Sequence, residues 1–413
     1  MHFAAERLES LYPGRGDAAV RRYDALAARF AALYSEAGAP RFFSAPGRTE
    51  IGGNHTDHQG GRVLAAAIDR DSLLAAAPRS DMRVRLHSEG YAPIELDLTD
   101  LSPQSAETGT TAALVRGCAA ALAKAGRAVG GFDAAATSEV MPGSGLSSSA
   151  AMEVLLLATL DGLYGDGTLP APERAQMAQF AENVYFGKPS GLMDQMASSV
   201  GGLVAIDFGG AEPIIDPLSF DFAAQGYALA VVHTGGSHDN LTAAYAAIPA
   251  EMEQVAAQFG QKRLRDVDPA AFEAELPALR SRVSDRALLR AMHFFTEDAR
   301  VPQQAAALRR GDLPGFLALI NASGESSQAL LQNLYQSPPE EPLALALALS
   351  QQMLAGCGAW RVHGGGFAGT ILAFVPLDRL DAYRARMDAV FGAGACQPLN
   401  IRPVGALEIP AIR

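Results

Sequence analysis

The chain has 413 residues, enough for two or three domains, and its 49% hydrophobic and 19% charged residues are the balance of a folded chain, not a disordered one. A net charge of −12 excludes a non-specific nucleic-acid binder, which needs a basic face, yet leaves room for an anionic ligand held by backbone amides and one or two cations. Residues 1–7 show no basic stretch followed by an apolar core, the longest plainly apolar run is 343–349, and Cys118, Cys357 and Cys396 fit neither a metal spacing nor a disulfide framework, so the expectation is a cytoplasmic protein without a secretory signal or a membrane span.

In chain order, the first element is a helix. Tyr23, Leu26, Phe30 and Leu33 fall on one face, Asp17 caps its start, and Gly38 with Pro40 stops it. Residues 41–98 change character: short apolar or alternating runs at 63–68, 72–77, 82–86 and 94–98, separated by Gly, Pro and Asp, predict strands and turns. Helical spacing returns at 110–126, and 132–140 predicts a strand. Helices are expected at about 148–164 and 171–186, then a strand at 203–208. Gly209, Gly210, Pro213 and Pro217 break the pattern near a domain boundary. A buried strand at 227–234 precedes a mostly helical stretch to about 353. Strands at 359–363, 370–375, 399–404 and 407–409, with a helix near 377–391, complete the chain. The fold class is α+β, in two domains spanning 1–215 and 216–413.

Between the strand at 132–140 and the next helix lies Pro142-Gly143-Ser144-Gly145-Leu146-Ser147-Ser148-Ser149. Gly143 and Gly145 let the backbone turn tightly and approach a ligand. The free N–H groups of the helix start and its dipole make an anion site, and a first-turn hydroxyl reaches a phosphate-bound Mg²⁺. A Gly/Ser turn that merely caps a helix has the same local pattern. No Gly-x4-Gly-Lys-Ser/Thr occurs, so a P-loop NTPase is excluded. Gly364 to Gly369 match G-x-G-x-x-G, but a strand follows where a dinucleotide site needs a helix. Asp207-Phe208-Gly209 lacks a preceding His-Arg-Asp and is read as a strand end.

Two further segments carry chemistry. Residues 44–61 combine five Gly and a Pro, which set an irregular backbone, with Arg48, Asn54, His55, Asp57 and His58. These side chains suit sugar hydroxyls, and Arg48 is a fixed cation for a phosphoryl group or a catalytic carboxylate. His55-Thr56-Asp57-His58 also matches half of the H-x-H-x-D-H metal motif, but Gly53 stands where its first His belongs. That leaves a metal-dependent hydrolase as a remote alternative. Residues 182–196 carry Glu182 at a helix C-terminal end, where the dipole demands a partner, and Asp194 between Met193 and Met196, where a partly buried carboxylate suits a general base. Each acid alone is equally a cap or a salt bridge.

Taken together, these segments resemble the galactokinase branch of the GHMP kinases. Residues 47–61 align in register with G-R-x-N-x-I-G-E-H-x-D-Y-x-x-G, 141–150 with P-x-G-x-G-L-S-S-S-A, 187–195 with G-x-P-C-G-I-M-D-Q, and 364–369 with the third Gly-rich motif. The resemblance implies an N-terminal domain like ribosomal protein S5, a ferredoxin-like C-terminal domain, and an active site in the cleft between them. It implies transfer of the ATP γ-phosphate to the C1 hydroxyl of α-D-galactose, as in galactose catabolism. Asp194 would be the base and Arg48 its partner. Gly143, Ser144, Gly145, Leu146, Ser147, Ser148 and Ser149 would wrap the ATP phosphates. Ser149 and Glu182 would hold Mg²⁺. Asn54, His55, Thr56, Asp57, Gly191 and Tyr245 would bind the sugar. A monomer with no nucleic-acid or membrane partner is expected. Departures at Glu50, Gly52, Asn54, His58 and Ser190 keep galactosamine, galacturonate or another hexose open as the substrate, and a non-catalytic galactose sensor is the remaining alternative.

Overall fold

The computed structural model describes residues 3, 5–140, 145–235, 241–334 and 340–411. Two helices open the chain, α1 (Ala5–Leu11) and α2 (Gly16–Leu33). Tyr23, Leu26 and Phe30 are buried as the spacing requires, but Leu33, the last helical residue, is exposed. Asp17 lies inside the first turn and Arg15 takes the cap position, so the helix starts two residues earlier than a cap at Asp17 would give.

The first sheet is built from β1 (Arg41–Gly52), β2 (Arg62–Pro78), β3 (Arg83–Ser88), β4 (Ile94–Asp97), β5 (Phe132–Ser138), β6 (Leu203–Asp207), β7 (Ile214–Leu218) and β12 (Leu407–Ile409). Its order is β12-β1-β2-β5-β3-β4, with β6 beside β2 and β7 beside β6. The runs at 63–68 and 72–77 form one strand of 17 residues, not two. Asp69, Arg70 and Asp71 read as a turn in sequence, yet they stay extended because partners outside the strand satisfy them. Asp69 takes the Asn400 amide and Asp71 sits in a buried ion cluster. This length lets β2 pair with β6 through residues 62–66 and with β5 through residues 72–78.

Both faces of this sheet are covered, which explains its nearly continuous apolar strands. Leu74, Ala76, Ala134 and Leu86 face α3 (Thr111–Lys124) and α4 (Ser148–Tyr164). Leu73, Ala75, Ala77 and Ala135 face α1 and α2 through Tyr12, Tyr23 and Phe30. The helix expected at 171–186 is α5 (Ala171–Phe180) followed by a π-helical turn, Ala181–Phe186. A short helix, α6 (Met193–Val200), follows.

The second sheet has the order β11 (Cys396–Leu399), β8 (Tyr227–Gly235), β10 (Gly369–Pro376), β9 (Ala359–Val362), all antiparallel. Helices α7 (Thr242–Ala257), α8 (Pro269–Leu279), α9 (Asp285–Arg309), α10 (Leu313–Ser326), α11 (Pro342–Leu354) and α12 (Leu380–Phe391) surround it. One apolar cluster spans both sheets: Ile51, Leu64 and Ile68 pack with Leu229, Val231, Leu372 and Phe374, and with Val301 and Phe316 of the helices. The strand expected at 399–404 is displaced to 396–399. Beyond it only Ile401 forms a bridge, to Ile68, before β12 joins β1. The first sheet therefore takes strands from both ends of the chain.

The return of the C-terminal segment is fixed by charge. Arg402 Nη1 lies 3.0 Å from Asp71 Oδ2, with both side chains fully buried, and Arg22 holds the other oxygen at 2.9 Å. Burial drives the Asp71 carboxyl up, but the two guanidiniums outweigh it and hold the carboxyl below its ordinary value. Arg402→Met is expected to leave this buried charge under-compensated and to destabilise the fold by roughly 3–5 kcal/mol. Urea unfolding should show a lower midpoint with an unchanged slope.

Candidate active site

The site is assembled around a bulged strand. Register shifts between Pro46 and Arg48, and between Glu50 and Gly52, twist β1 while keeping it in the sheet. The Gly- and Pro-rich stretch expected to be irregular is thus strand as far as Gly52. Pro46 is tolerated because β12 pairs only with residues 42–44, leaving β1 an open edge beyond them.

Arg48 leaves this strand almost buried, 6% exposed. Its Nε donates to Asp194 Oδ1 at 2.7 Å, its Nη1 donates to the Gly145 carbonyl, and its amide donates to the Leu146 carbonyl at 3.1 Å. Ser147 Oγ donates to Asp194 Oδ2. Asp194 sits in the first turn of α6, where the helix dipole favours an anion, and 30% of its side chain remains open. Burial pushes its carboxyl up, but the Arg48 charge and the hydrogen bonds from Arg48 and Ser147 prevail and hold it below the ordinary carboxylate value. It is therefore a carboxylate at neutral pH, with one lone-pair direction on each oxygen already taken.

Of the loop, Gly143 and Ser144 lie outside the described residues. Gly145 has φ +70°, and a Cβ there would run into Thr370 Oγ1 and the His363 ring, so the C-terminal Gly-rich segment closes over the loop. Ser147 adopts φ 62°, ψ 62°, a left-handed conformation uncommon outside glycine. Leu146 turns its side chain into the core shared by the two sheets. Ser148 and Ser149 open α4, so their amides belong to the unpaired first turn.

Behind the loop is an acidic pocket. Ser149 Oγ donates to Glu182 Oε1 at 2.8 Å, Lys188 Nζ lies 2.9 Å from the same oxygen, and Gln195 Nε2 donates to Glu182 Oε2 at 2.8 Å. The π-helical turn carries Glu182, a common way to redirect a functional side chain. Gln195 Nε2 also reaches Glu153 Oε2 at 3.1 Å. Burial, then the neighbouring Glu182 charge, raises the Glu153 carboxyl well above its ordinary value, and its Oε1 has no partner. A hydroxyl and a carboxylate beside an unpartnered buried oxygen form a hard-oxygen donor set that fits Mg²⁺. Glu153, Lys188, Gln195, His363 and Thr370 were not singled out in sequence. The only signal for Glu153 was its position one helical turn beyond Ser149.

The expected sugar residues divide into two groups. Asp57 abuts Gly191 so closely that a Cβ at 191 would strike its carboxylate. His55, at φ 59°, donates from Nε2 to the Gly365 carbonyl at 3.0 Å, and Tyr245 donates to the Gly366 carbonyl at 2.7 Å. Asn54 and Thr56 do not join them. Asn54 is fully buried: its Nδ2 serves Glu50 Oε1 at 2.9 Å and the Gly364 carbonyl at 2.7 Å, while its Oδ1 accepts from Asn333 at 2.9 Å. Thr56 Oγ1 is spent on the Gly53 and Arg62 carbonyls inside the turn. Both were expected to touch sugar; their side chains bond within the loop and to its neighbours. The half-motif for a metal hydrolase does not assemble either. His55 and His58 stack at 6.1 Å, and among the described residues no group of three or more His, Cys, Asp or Glu is placed to hold a metal. Nor, among those residues, is any helix long and apolar enough to cross a membrane.

Comparison with known proteins agrees with this geometry. Residues 28–78 match the galactokinase galactose-binding signature, and residues 113–202 match the GHMP kinases N terminal domain. A Methanococcus jannaschii mevalonate kinase shares the fold, with a TM-score of 0.63 at 14% identity over 88% of this chain and 99% of its own. A Lactococcus lactis galactokinase complexed with galactose superposes with a TM-score of 0.81 at 26% identity, over 93% of this chain and 99% of its own. The fold, the Gly/Ser loop and the matched N-terminal domain thus define a kinase of the GHMP class. The galactokinase of Streptomyces coelicolor is 36% identical over 370 residues, 88% of this chain and 92% of its own, and that of Mycobacterium tuberculosis is 33% identical over 343 residues, 82% and 89%. The chain belongs to the galactokinase family, and it is an ATP-dependent sugar kinase.

Burial, reinforced by the adjacent His58, lowers the His55 pKa to about 3. His55 is therefore expected to stay neutral down to about pH 5, where an unperturbed imidazole is mostly charged. A ¹⁵N imidazole spectrum recorded across that range tests this directly.

Proposed function

We propose that the protein transfers the γ-phosphate of ATP to the C1 hydroxyl of α-D-galactose, giving galactose 1-phosphate and ADP. The observation that carries this reading is the Arg48–Asp194 pair, joined to the phosphate loop through Gly145 and Ser147. It puts a carboxylate beside a phosphate-binding backbone with a cation between them, which is what phosphoryl transfer to a hydroxyl requires.

In this reading the sugar lies against Asp57, Gly191, His55 and Tyr245, with its C1 hydroxyl on the open side of Asp194. Asp194 orients the hydroxyl and takes its proton as the new oxygen–phosphorus bond forms and the bond to the ADP oxygen breaks. A carboxylate held below its ordinary pKa is a weak base. That suffices for a loose transition state, in which positioning and charge stabilisation matter more than early proton removal. Arg48 keeps Asp194 ionised and faces the charge that spreads over the phosphoryl oxygens. The amides from Gly145 through Ser149 cradle the phosphates at the start of α4. Ser149 and Glu182 would hold magnesium, which when bound neutralises the β- and γ-phosphate oxygens. Asn54 acts from behind, fixing the backbone that carries His55.

Asp194→Asn is expected to lower kcat by about 10²- to 10⁴-fold while the galactose Kd moves by less than about threefold; near-normal turnover would overturn the base assignment. Ser149→Ala should raise the magnesium concentration needed for half-maximal rate. An ADP-release assay across a hexose panel tests the acceptor, with galactose expected to be preferred over galactosamine and galacturonate.

A further inference from the structure

The acidic pocket already contains a cation of the protein's own. Lys188 Nζ lies 2.9 Å from Glu182 Oε1, the oxygen that also accepts from Ser149 at 2.8 Å. Glu182 is 1% exposed, whereas 56% of the Lys188 side chain is open to solvent. The ammonium thus reaches into the pocket from outside. Its main chain is pinned meanwhile, because the Gly187 and Lys188 amides donate to the Glu182 carbonyl at 3.0 and 3.2 Å. The second carboxylate oxygen is committed to Gln195, so Oε1 is the atom left for a hard cation. One feature separates this contact from an ordinary ion pair. The ammonium occupies the oxygen that a metal would need, and its flexible stem leaves it free to move.

We propose that Lys188 is a tethered placeholder cation: it neutralises Glu182 while the site lacks a divalent ion, and yields Oε1 when that ion arrives. The inference rests on the reading of Ser149 and Glu182 as the metal pair. A placeholder competes with the ion, so it weakens apparent metal affinity while sparing the empty enzyme a buried unpaired carboxylate.

The test is Mn²⁺ binding to the full, nucleotide-free chain, read by electron paramagnetic resonance as the loss of free-ion signal. Wild type, Lys188→Met and Ser149→Ala are compared at low salt and at about 0.5 M KCl, where the screening length falls to about 4 Å. Lys188→Met is expected to bind Mn²⁺ about fivefold more tightly at low salt, the size of a typical exposed ion pair, and the gain should shrink at high salt, where screening weakens the Lys188–Glu182 pair of the wild type. Equal affinities at low salt overturn the proposal. If Ser149→Ala weakens Mn²⁺ binding while Lys188→Met matches wild type, the placeholder fails and the metal site stands. If Ser149→Ala leaves Mn²⁺ binding untouched, the metal assignment itself fails and takes the placeholder with it.

Discussion

The contact between Arg48 and Asp194 organises the site, because it joins three segments that are remote in sequence. One guanidinium leaves a bulge in β1, holds the carbonyl of a loop before α4, and pairs with a carboxylate in the first turn of α6. A planar fork with fixed N–H directions does this better than an ammonium would, since each bond sets the angle of the next. Ser147 completes the arrangement from the opposite carboxylate oxygen. The backbone of Ser147 is held in a left-handed conformation to do so, a local cost that the surrounding bonds offset. The carboxylate is consequently fixed in both charge and direction before any ligand arrives.

Beneath the sugar loop lies a second layer of polar contacts. Glu50 pairs with the fully buried Arg361 at 2.5 Å and receives the Asn54 amide, and Asn54 in turn meets Asn333 and the Gly364 carbonyl. His293 reaches the Asn54 carbonyl at 3.0 Å from α9. These bonds run from the first sheet to the helices and Gly-rich turn of the second. Their effect is to make one rigid body of elements that the apolar cluster between the sheets would only press together, since burial has no direction and hydrogen bonds do. Burial raises the Glu50 carboxyl above its ordinary value, with Arg361 and Arg48 opposing.

Much of this was legible in the sequence. The helix at 148–164 and the strand at 227–234 emerged nearly at their observed bounds, because each is long, apolar and flanked by clear breakers. Arg48, Asp194, Ser149 and Glu182 were identifiable from residue type and motif. What remained hidden was partnership. Bulges let a strand absorb Pro46 and Gly47, so the Gly and Pro of β1 misled as breakers. The eight residues of α6 are too few to show a period between Gly191 and Gly201. Asn54 has the chemistry of a ligand residue, and only the positions of Glu50 and Asn333 reveal that its amide is already committed. Lys188 occupies a variable position of its motif, and nothing local links it to Glu182 rather than to water.

The last strand has a consequence for how the enzyme comes into being. Arg41, at the start of β1, bonds Glu408 across a sequence separation of 367 residues. The strand that delivers Arg48 therefore borders a segment synthesised 367 residues later. During translation this edge of the first sheet stays unpaired until residues 407–409 clear the ribosome, although most of the remaining strands are already available. A chain that lacks this segment carries an open strand edge, which marks it for quality control. The pairing of β12 with β1 thus makes completion of the sheet that carries Arg48 wait on the return of the chain.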